Sequence, residues 1–239
     1  MTSDATAVTV SFADAEHGWF GRAYLGAGSA LAVLFRGGEV AGVMDGATLE
    51  LTDERVTWTG ADAGFDLALE PTSAPIEHAG GTEQLIRVHG TAHADGVTGE
   101  LDGVGQRGEV AGARPGYELV RGVSAWLGDG GIVLEALRPE GAEGHDAETV
   151  WAMLVEDGEP VPVTDPRLST TYDAEGHQRR AGMELWLGEE GYPLRAAGEV
   201  ICGSSLDLGE LTLDLAFFRW RAEGTEGVGR YDILRRNRH

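Results

Sequence analysis

The sequence predicts an all-β protein built from two similar β units in tandem, and three observations support this prediction. Glycine occurs 37 times in 239 residues, so few stretches of helical length are free of it. Short runs in which apolar and polar residues alternate recur along the whole chain. The two halves also repeat the same order of strand and turn signals, as expected for an internal duplication.

Alternation with period two identifies the individual strands. In FDLALEP (65–71) the odd positions from 65 to 69 carry apolar side chains of one strand face, whereas Asp66 and Glu70 belong to the other face. The segments VTVSF (8–12) and SALAVLF (29–35) alternate in the same way. Each segment is therefore predicted to be a strand with one face in a core.

A hairpin recurs in both halves of the chain. LFRGGEVAGV (34–43) matches LVEDGEPVPV (154–163) with a shift of 120 positions, which places Gly38 over Gly158. Gly-Gly and Asp-Gly pairs supply the positive φ angles that two-residue turns require. HDAETVWAMLVED (145–157) is the best helix candidate of the chain, but its place in the repeat predicts a strand.

The repeat divides the chain into an N-terminal unit, residues 1–113, and a C-terminal unit, residues 114–239. The segment GARPGYELVRG (112–122) is interpreted as the linker between them. Because this linker is short, we expect the two units to pack closely and a small-molecule pocket to form at their junction.

The segment GVGQRG (103–108) has the spacing of the dinucleotide-binding fingerprint but not its context. The fingerprint requires a helix after its last glycine and an acidic residue about 20 positions later. Here Gly112, Pro115 and Gly116 follow, and the second copy, GVGRYD (227–232), lacks the third glycine. The shared Gly-Val-Gly instead predicts a bulge or a close approach of strands, and no NAD site is expected.

Composition restricts the partners of the chain. Its 40 acidic and 18 basic residues give a net charge of −22, which repels nucleic-acid phosphates and anionic membranes. A neutral or apolar small molecule is the expected ligand. No apolar run approaches the ~20 residues that span a bilayer, and the N-terminal segment lacks the positive charge of a secretion signal. We therefore expect a cytoplasmic protein without membrane insertion.

No metal site is predicted. Cys202 is the single cysteine, which excludes an internal disulfide and a cysteine-cluster zinc site. His89 and His93 have the spacing found in zinc-binding helices, but Gly90 and the preceding LIRV indicate a strand. On a strand, at about 3.3 Å per residue, they would lie about 13 Å apart, too far to share one ion.

The segment ELTLDLAFFRWR (210–221) has an irregular apolar pattern. Bulky apolar residues occupy odd positions up to Phe217, after which Phe218 and Trp220 occupy even positions. A bulge near Ala216, or a strand that crosses between layers, would explain the change. Trp220 then lies either in a pocket or in an ordinary core.

Aromatic side chains are the candidate ligand-binding residues, because they would line an apolar cavity. The candidates are Trp151, Trp186, Phe218, Trp220 and Tyr231. Core residence is the alternative for each, since aromatic residues are commonly buried. Trp186 lies in MELWLG among apolar neighbours on both strand faces, so both faces of that strand require burial.

Asp173, Asp232 and Tyr172 are the candidate catalytic residues. Acid catalysis in an apolar pocket needs a group whose pKa burial raises or holds near neutrality. Asp173 lies beside Tyr172 in STTYDAEG, and Asp232 lies beside Tyr231 in GRYDIL. Either aspartate could instead begin a turn or lie on a solvated strand face, and YDAEG is a good turn sequence.

Several of these segments resemble a known family. The duplicated β unit, EDGEPVPVTDPRLSTTYDAEG (156–176) and FFRWRAEGTEGVGRYDILR (217–235) are similar to two-domain, lipocalin-like proteins grouped with carotenoid 1,2-hydratases. That group includes fungal lipocalin-like Diels–Alderases and bacterial members. The resemblance covers nearly the whole chain and implies two calycin-like antiparallel β-barrels or sandwiches with a hydrophobic pocket near their junction. It also implies proton-driven hydration, isomerisation or cyclisation of isoprenoids or polyketides.

The functional hypothesis is therefore a cofactor-independent enzyme, a hydratase, isomerase or cyclase, that encloses an apolar isoprenoid or polyketide. The alternatives are a noncatalytic carrier of an apolar lipid or isoprenoid and an interaction protein without a cavity. A buried carboxylate or histidine facing the ligand would favour the enzyme. A cavity lined only by apolar side chains would favour the carrier.

Overall fold

The computed structural model describes residues 6–26, 29–44, 48–111, 116–188 and 191–237. The chain divides into two compact units, Met1–Arg114 and Pro115–His239. The domain boundary predicted after residue 113 falls within 112–115, outside the described residues. Strands dominate both units, so the predicted all-β class is confirmed.

The first unit is one curled antiparallel sheet. Its strands are β1 (Thr6–Asp14), β2 (Trp19–Gly26), β3 (Ser29–Arg36), β4 (Glu39–Val43), β5 (Thr48–Leu51), β6 (Arg55–Thr59), β7 (Ala63–Pro71), β8 (Ile76–His78), β9 (Gly81–Ala94) and β10 (Val97–Ala111). They pair in the order β4-β3-β2-β1-β10-β9-β7-β6-β5, and β8 pairs with β9.

The second unit repeats this plan. Its strands are β11 (Tyr117–Leu127), β12 (Gly130–Pro139), β13 (Thr149–Glu156), β14 (Glu159–Pro162), β15 (Asp165–Tyr172), β16 (Gln178–Trp186), β17 (Leu194–Asp207), β18 (Leu211–Ala222) and β19 (Thr225–Arg236), with a 3₁₀ helix at His145–Ala147. They pair in the order β14-β13-β12-β11-β19-β18-β17-β16-β15. The last strand of each unit pairs with the first, so the predicted duplication and the tandem calycin-like architecture are confirmed.

The repeated hairpins have the turns that their sequences predict. Gly37 and Gly38 join β3 to β4 with φ of 59° and 97°, and Asp157 and Gly158 join β13 to β14 with φ of 51° and 81°. Two consecutive positive φ angles match the right-handed twist of the flanking strands. Residues 149–156 form β13, so the prediction of a strand over most of 145–157 is also confirmed.

The Gly-Val-Gly segments allow two strands to approach closely. Gly105 of β10 lies opposite Phe12, and Gly229 of β19 lies opposite Ala125. A Cβ atom at Gly105 would lie 2.3 Å from the carbonyl oxygen of Ser11, and one at Gly229 would lie 1.9 Å from that of Ser124. The predicted close approach is confirmed in both units, and β10 continues through Gly108 as a strand, not as the helix of a dinucleotide site.

Replacing Gly229 by alanine is expected to lower the free energy of unfolding by at least about 1–3 kcal/mol, because the new methyl group meets backbone that has no room to yield. Urea denaturation followed by circular dichroism measures this loss. Gly188→Ala is the control, since a Cβ there meets nothing within 4 Å. Equal unfolding midpoints for the two variants would contradict the close approach.

Two sequence interpretations need correction. The segment 117–122 is not linker, because it pairs with β12 and β19 as the first half of β11. The bulge expected near Ala216 lies instead in the neighbouring strand β17, between Val200 and Cys202. Strand β18 therefore keeps its alternation, with Phe218 and Trp220 in the core and Arg219 exposed on the opposite face.

Candidate functional site

A polar cluster lies on the inner face of the second sheet, within the core of that unit. Arg121 of β11 donates from Nη1 to Thr170 Oγ1 of β15 at 3.0 Å and to Tyr231 Oη of β19 at 3.3 Å. The hydroxyl oxygens of Thr170 and Tyr231 are 2.5 Å apart. Arg121 Nη2 donates to Glu148, which directly precedes β13. We call these four residues the arginine–tyrosine cluster.

The cluster is buried. Arg121 is 1% exposed and Tyr231 is 0% exposed, and the Glu148 side chain is 1% exposed. A buried guanidinium requires an anionic partner and further hydrogen bonds to offset its loss of hydration. Glu148 supplies the charge, and its second oxygen lies 2.7 Å from Nδ1 of the half-exposed His145. His145 therefore connects the cluster to the surface.

Burial fixes the protonation state of Tyr231. It raises the pKa of this phenol to about 12, with Arg121 opposing the rise and Tyr172 adding to it. Burial lowers the pKa of Arg121, but Tyr231 and Glu148 outweigh this effect and hold it above its ordinary value. At neutral pH the cluster thus presents a cation and a neutral phenol, both hydrogen-bond donors.

Aromatic rings surround the phenol. Phe218 and Trp220 stack with ring centroids 5.6 Å apart and planes 25° apart. Phe218 also contacts Tyr231, at 5.5 Å between centroids. All three side chains belong to the apolar core of the second unit. The polar cluster therefore adjoins a stacked aromatic pair within the apolar core.

Three polar atoms on this side of the sheet have no hydrogen-bond partner among the described residues: Arg121 Nε, Trp220 Nε1 and Gln178 Oε1. The Gln178 amide nitrogen donates to the carbonyl oxygens of Tyr231 at 2.8 Å and Asp214 at 3.0 Å, so its oxygen is the free end. Buried polar atoms usually have partners. A ligand or water would have to supply the missing partners.

The cluster lies beside the seam of the second sheet. Strands β14 and β15 are the two ends of the strand order, and no ladder joins them in the described chain. Two backbone hydrogen bonds hold the corner between them. The N–H of Val163 donates to the carbonyl oxygen of Ala152 at 3.1 Å, and the N–H of Thr164 donates to that of Trp186 at 2.7 Å. Arg121 bridges the seam farther along, because it binds Glu148 before β13 and Thr170 on β15.

The structure brings some of the predicted site residues together. Phe218, Trp220 and Tyr231 are core residues, and Tyr172 packs against the same core. The other predicted residues on strands, Trp151, Trp186 and Asp232, directly adjoin core residues in sequence and so point to the opposite face. Trp151 donates there from Nε1 to Glu135 at 3.0 Å.

The two predicted acids lie outside the cluster. Asp232 is buried and accepts a hydrogen bond from Arg230 Nη1 at 2.9 Å on the face opposite Tyr231. Asp173 lies in the turn between β15 and β16, where Oδ1 accepts from the backbone N–H groups of His177 at 2.8 Å and Glu175 at 3.1 Å. The N–H of His177 contributes most to lowering the pKa of Asp173. A carboxyl group with a lowered pKa is a poor proton donor at neutral pH.

Asp173→Asn is expected to destabilise the protein at neutral pH and to have no effect in strong acid. Because folding lowers the pKa of Asp173, its stabilisation is fully present above the ordinary value of 3.8 and is lost as the pH falls through the folded value. Thermal melting of both proteins at neutral pH and at about pH 2 measures the difference. The exposed turn residue Asp129, changed to Asn, is the control. A difference that persists in acid would contradict this role.

Sequence reasoning missed Arg121, Glu148 and Thr170. Arg121 lies within the predicted linker, although it alternates with Leu119, Val123 and Ala125, three residues of the core. A charged residue on an apolar strand face is the signal that would have identified it. Glu148 and Thr170 carry no comparable signal, because many other acidic and hydroxyl residues have similar sequence surroundings.

His89 and His93 both lie on β9, as the strand interpretation predicts. His89 lies 3.1 Å from Asp102 and 3.3 Å from Glu70, whereas His93 Nε2 lies 3.3 Å from the carbonyl oxygen of Gly60. The two imidazoles thus have separate partners.

The first unit carries an open cleft of about 400 Å³ beside its turns. Its lining includes His17, Arg36, Glu39 and Asp95. His17 is paired with Asp14 at 2.8 Å, and Arg36 lies 5.3 Å from the centre of the Trp19 ring. Charged groups are prominent in this lining, so the cleft is poorly suited to an apolar ligand.

Comparisons with known proteins identify the fold. No protein-family model and no curated protein sequence matches the chain. A candidate AttH protein from Nitrosomonas europaea superposes with a TM-score of 0.67 at 12% identity, covering 96% of this chain and 92% of the other. Kievitone hydratase from Nectria haematococca gives 0.67 at 9% identity and coverages of 97% and 88%. CghA bound to Sch210972 gives 0.64 at 13% identity and coverages of 98% and 89%.

These matches confirm the predicted resemblance to lipocalin-like hydratases as a likeness of fold over nearly the whole chain.

The described part of the chain contains no helix with the length and apolar character that a membrane span requires.

Proposed function

We propose that the chain is an enzyme that binds an apolar small molecule of isoprenoid or polyketide type and hydrates, isomerises or cyclises it without a cofactor. The observation that carries this proposal is the buried pair of Arg121 and Tyr231 among stacked aromatic rings. Structural likeness to a hydratase, and to CghA solved with Sch210972, supports an enzymatic role on a small molecule.

Tyr231 is the proposed catalytic residue. Its phenol is protonated at neutral pH and donates a hydrogen bond to a substrate oxygen as negative charge develops there. Arg121, at 3.3 Å from the phenol oxygen, stabilises that charge and any phenolate formed by proton transfer. In this proposal Tyr231 takes the role of proton donor in place of Asp173 and Asp232.

The apolar core around the cluster also favours a second function. Most side chains near Tyr231 are aliphatic or aromatic, which is the lining expected of a noncatalytic carrier. A carrier needs no proton donor, so the two functions differ in whether the bound molecule is transformed.

Purification from the native host followed by native mass spectrometry tests the proposal. We expect an apolar molecule to co-purify with the protein and to be converted when the released molecule is incubated with ligand-free protein. Liquid chromatography with mass spectrometry detects a product of equal mass for isomerisation or cyclisation, or one heavier by a water molecule for hydration. Co-purification without conversion would favour the carrier, and the absence of any bound apolar molecule would count against both functions.

A further inference from the structure

We infer that the arginine–tyrosine cluster binds the oxygen of a conjugated carbonyl or phenolic ligand and stabilises that oxygen as an anion. This inference deepens the proposed function, on which it rests, by specifying the substrate class. Its basis is the surplus of hydrogen-bond donors in the cluster, the flat rings beside it, and its absence from the equivalent place in the first unit.

The cluster has more donor hydrogens than acceptors. Arg121 uses Nη1 for the two hydroxyls and Nη2 for Glu148, and its Nε has no partner among the described residues. Thr170 and Tyr231 share one hydrogen bond, in which either oxygen is the donor. One of the two hydroxyl hydrogens is therefore left for another acceptor. A ligand oxygen, neutral or anionic, is the chemical complement of this arrangement.

The charges of the cluster are already balanced without a ligand. Arg121 is paired with Glu148, which partly neutralises its charge. A ligand oxygen would therefore be bound mainly by hydrogen bonds from the hydroxyl groups and from this arginine. Such a site favours an anion whose charge is spread over a conjugated system more than a compact ion such as phosphate. The Phe218 and Trp220 rings, stacked 25° from parallel, make the surroundings of the cluster apolar and aromatic, which suits such a system.

The duplication provides an internal comparison. Gly229 and Gly105 are equivalent, as are their pairing partners Ala125 and Phe12. Tyr231 therefore corresponds to Arg107, two residues after Gly105, and Arg121 corresponds to Val8, four residues before Phe12. Neither Arg121 nor Tyr231 has an identical residue at the corresponding position.

The ion pairs of Arg107 also differ from those of Arg121. Arg107 binds Asp53, whose side chain is 87% exposed, and Glu109, whose side chain is 50% exposed. The same sheet thus forms in the first unit with an arginine that is 16% exposed and pairs with exposed carboxylates. The buried cluster is an addition that this sheet does not require, which indicates a role in binding.

The weak acidity of Tyr231 favours a conjugated carbonyl substrate over an isolated alkene. A phenol with a pKa of about 12 is too weak an acid to protonate an isolated alkene, but it is well matched to an enolate oxygen. In a conjugated enone, the oxygen of solvent water forms a bond to the β carbon, the C=C π pair moves to the bond between the α carbon and the carbonyl carbon, and the C=O π pair moves to the oxygen. Tyr231 and Arg121 donate to that oxygen. The proton released by the added water is then transferred to the α carbon as the C=O bond forms again. One water is consumed, and no atom requires an external oxidant or reductant.

Binding of 4-nitrophenol and of nitrobenzene tests this inference without knowledge of the native substrate. The two probes differ only in the hydroxyl group. We expect 4-nitrophenol to bind more tightly and to show a stronger phenolate absorption band than the free compound at the same pH. Tyr231→Phe is expected to weaken 4-nitrophenol binding about tenfold or more and to leave nitrobenzene binding unchanged, because it removes one hydrogen bond to a charged oxygen.

Two further variants keep the result interpretable. Thr170→Val removes the second hydroxyl of the network and is expected to weaken 4-nitrophenol binding in the same direction. Tyr192→Phe changes a tyrosine that is 99% exposed and should alter neither probe. Equal binding of both probes, with 4-nitrophenol remaining protonated, would overturn the oxyanion site and leave the apolar-ligand proposal standing. Binding of neither probe would count against both.

Discussion

The Tyr231→Phe variant is expected to lose at least about 100-fold in kcat on the molecule recovered from the native host, with KM changed only a few-fold. A positioned proton donor contributes about 10²–10⁴-fold to a rate. Phenylalanine retains the ring that contacts Phe218 at 5.5 Å between centroids. The change therefore removes the hydroxyl and preserves most of the apolar contact.

The pH dependence of the wild-type enzyme provides an independent check on this role. Because burial raises the pKa of Tyr231 to about 12, the phenol stays protonated across neutral pH. Its titration should therefore produce no loss of kcat between about pH 6 and 9. Tyr192→Phe is the matched control and should retain full turnover. Full turnover by Tyr231→Phe would transfer the catalytic role elsewhere, with Tyr172, which packs against the same core, as the next candidate.

Arg121→Met is expected to lower the free energy of unfolding by about 3–5 kcal/mol, because it leaves the buried carboxylate of Glu148 without its main charge partner. Methionine replaces the aliphatic part of the arginine side chain, so most of the loss reflects the missing guanidinium with its charge and hydrogen bonds. Urea denaturation that resolves the second unit measures the effect. Arg195→Met is the control, since Arg195 is 73% exposed and pairs with Glu184 at the surface.

The double variant Arg121→Met/Glu148→Leu distinguishes a role of the ion pair in stability from a role in ligand binding. Replacing both members of a buried ion pair by apolar residues is often nearly neutral for stability. We therefore expect the double variant to recover most of the stability that the single variant loses, yet to bind 4-nitrophenol weakly. If stability recovers and 4-nitrophenol binding is unchanged, the ion pair serves folding alone.

Local patterns in the sequence were sufficient to predict the architecture. Period-two alternation identified the strands, and the pairs Gly37-Gly38 and Asp157-Gly158 predicted two hairpin turns whose φ angles are positive. The repeated Gly-Val-Gly predicted a close approach of strands in both units. Each prediction succeeded because the physical cause, a side-chain direction or a backbone angle, acts within a few residues.

The candidate site was only partly predictable, because its contacts join residues that are far apart in the sequence. Aromatic residues favour apolar environments, which predicts Phe218, Trp220 and Tyr231 as ligand-binding residues, and all three lie in one core. Tyr172, predicted to be catalytic from its place beside Asp173, packs against the same core. Asp173 and Asp232 were selected for the same neighbours, but a turn and the alternation of a strand direct them elsewhere. Adjacent residues in a strand point to opposite faces, so proximity to Tyr231 in sequence does not place Asp232 near its phenol.

The sequence by itself determined the strands, the turns and the twofold repetition of one β unit, because these depend on local backbone preferences and on periodicity. Only the tertiary structure decided that Arg121 meets Tyr231, 110 residues away, and Thr170, 49 residues away. Strand pairing across the whole second unit sets those distances. The alternation of side chains along a strand shows which residues share a face. The pairing of distant strands determines which faces turn inward and which side chains meet there.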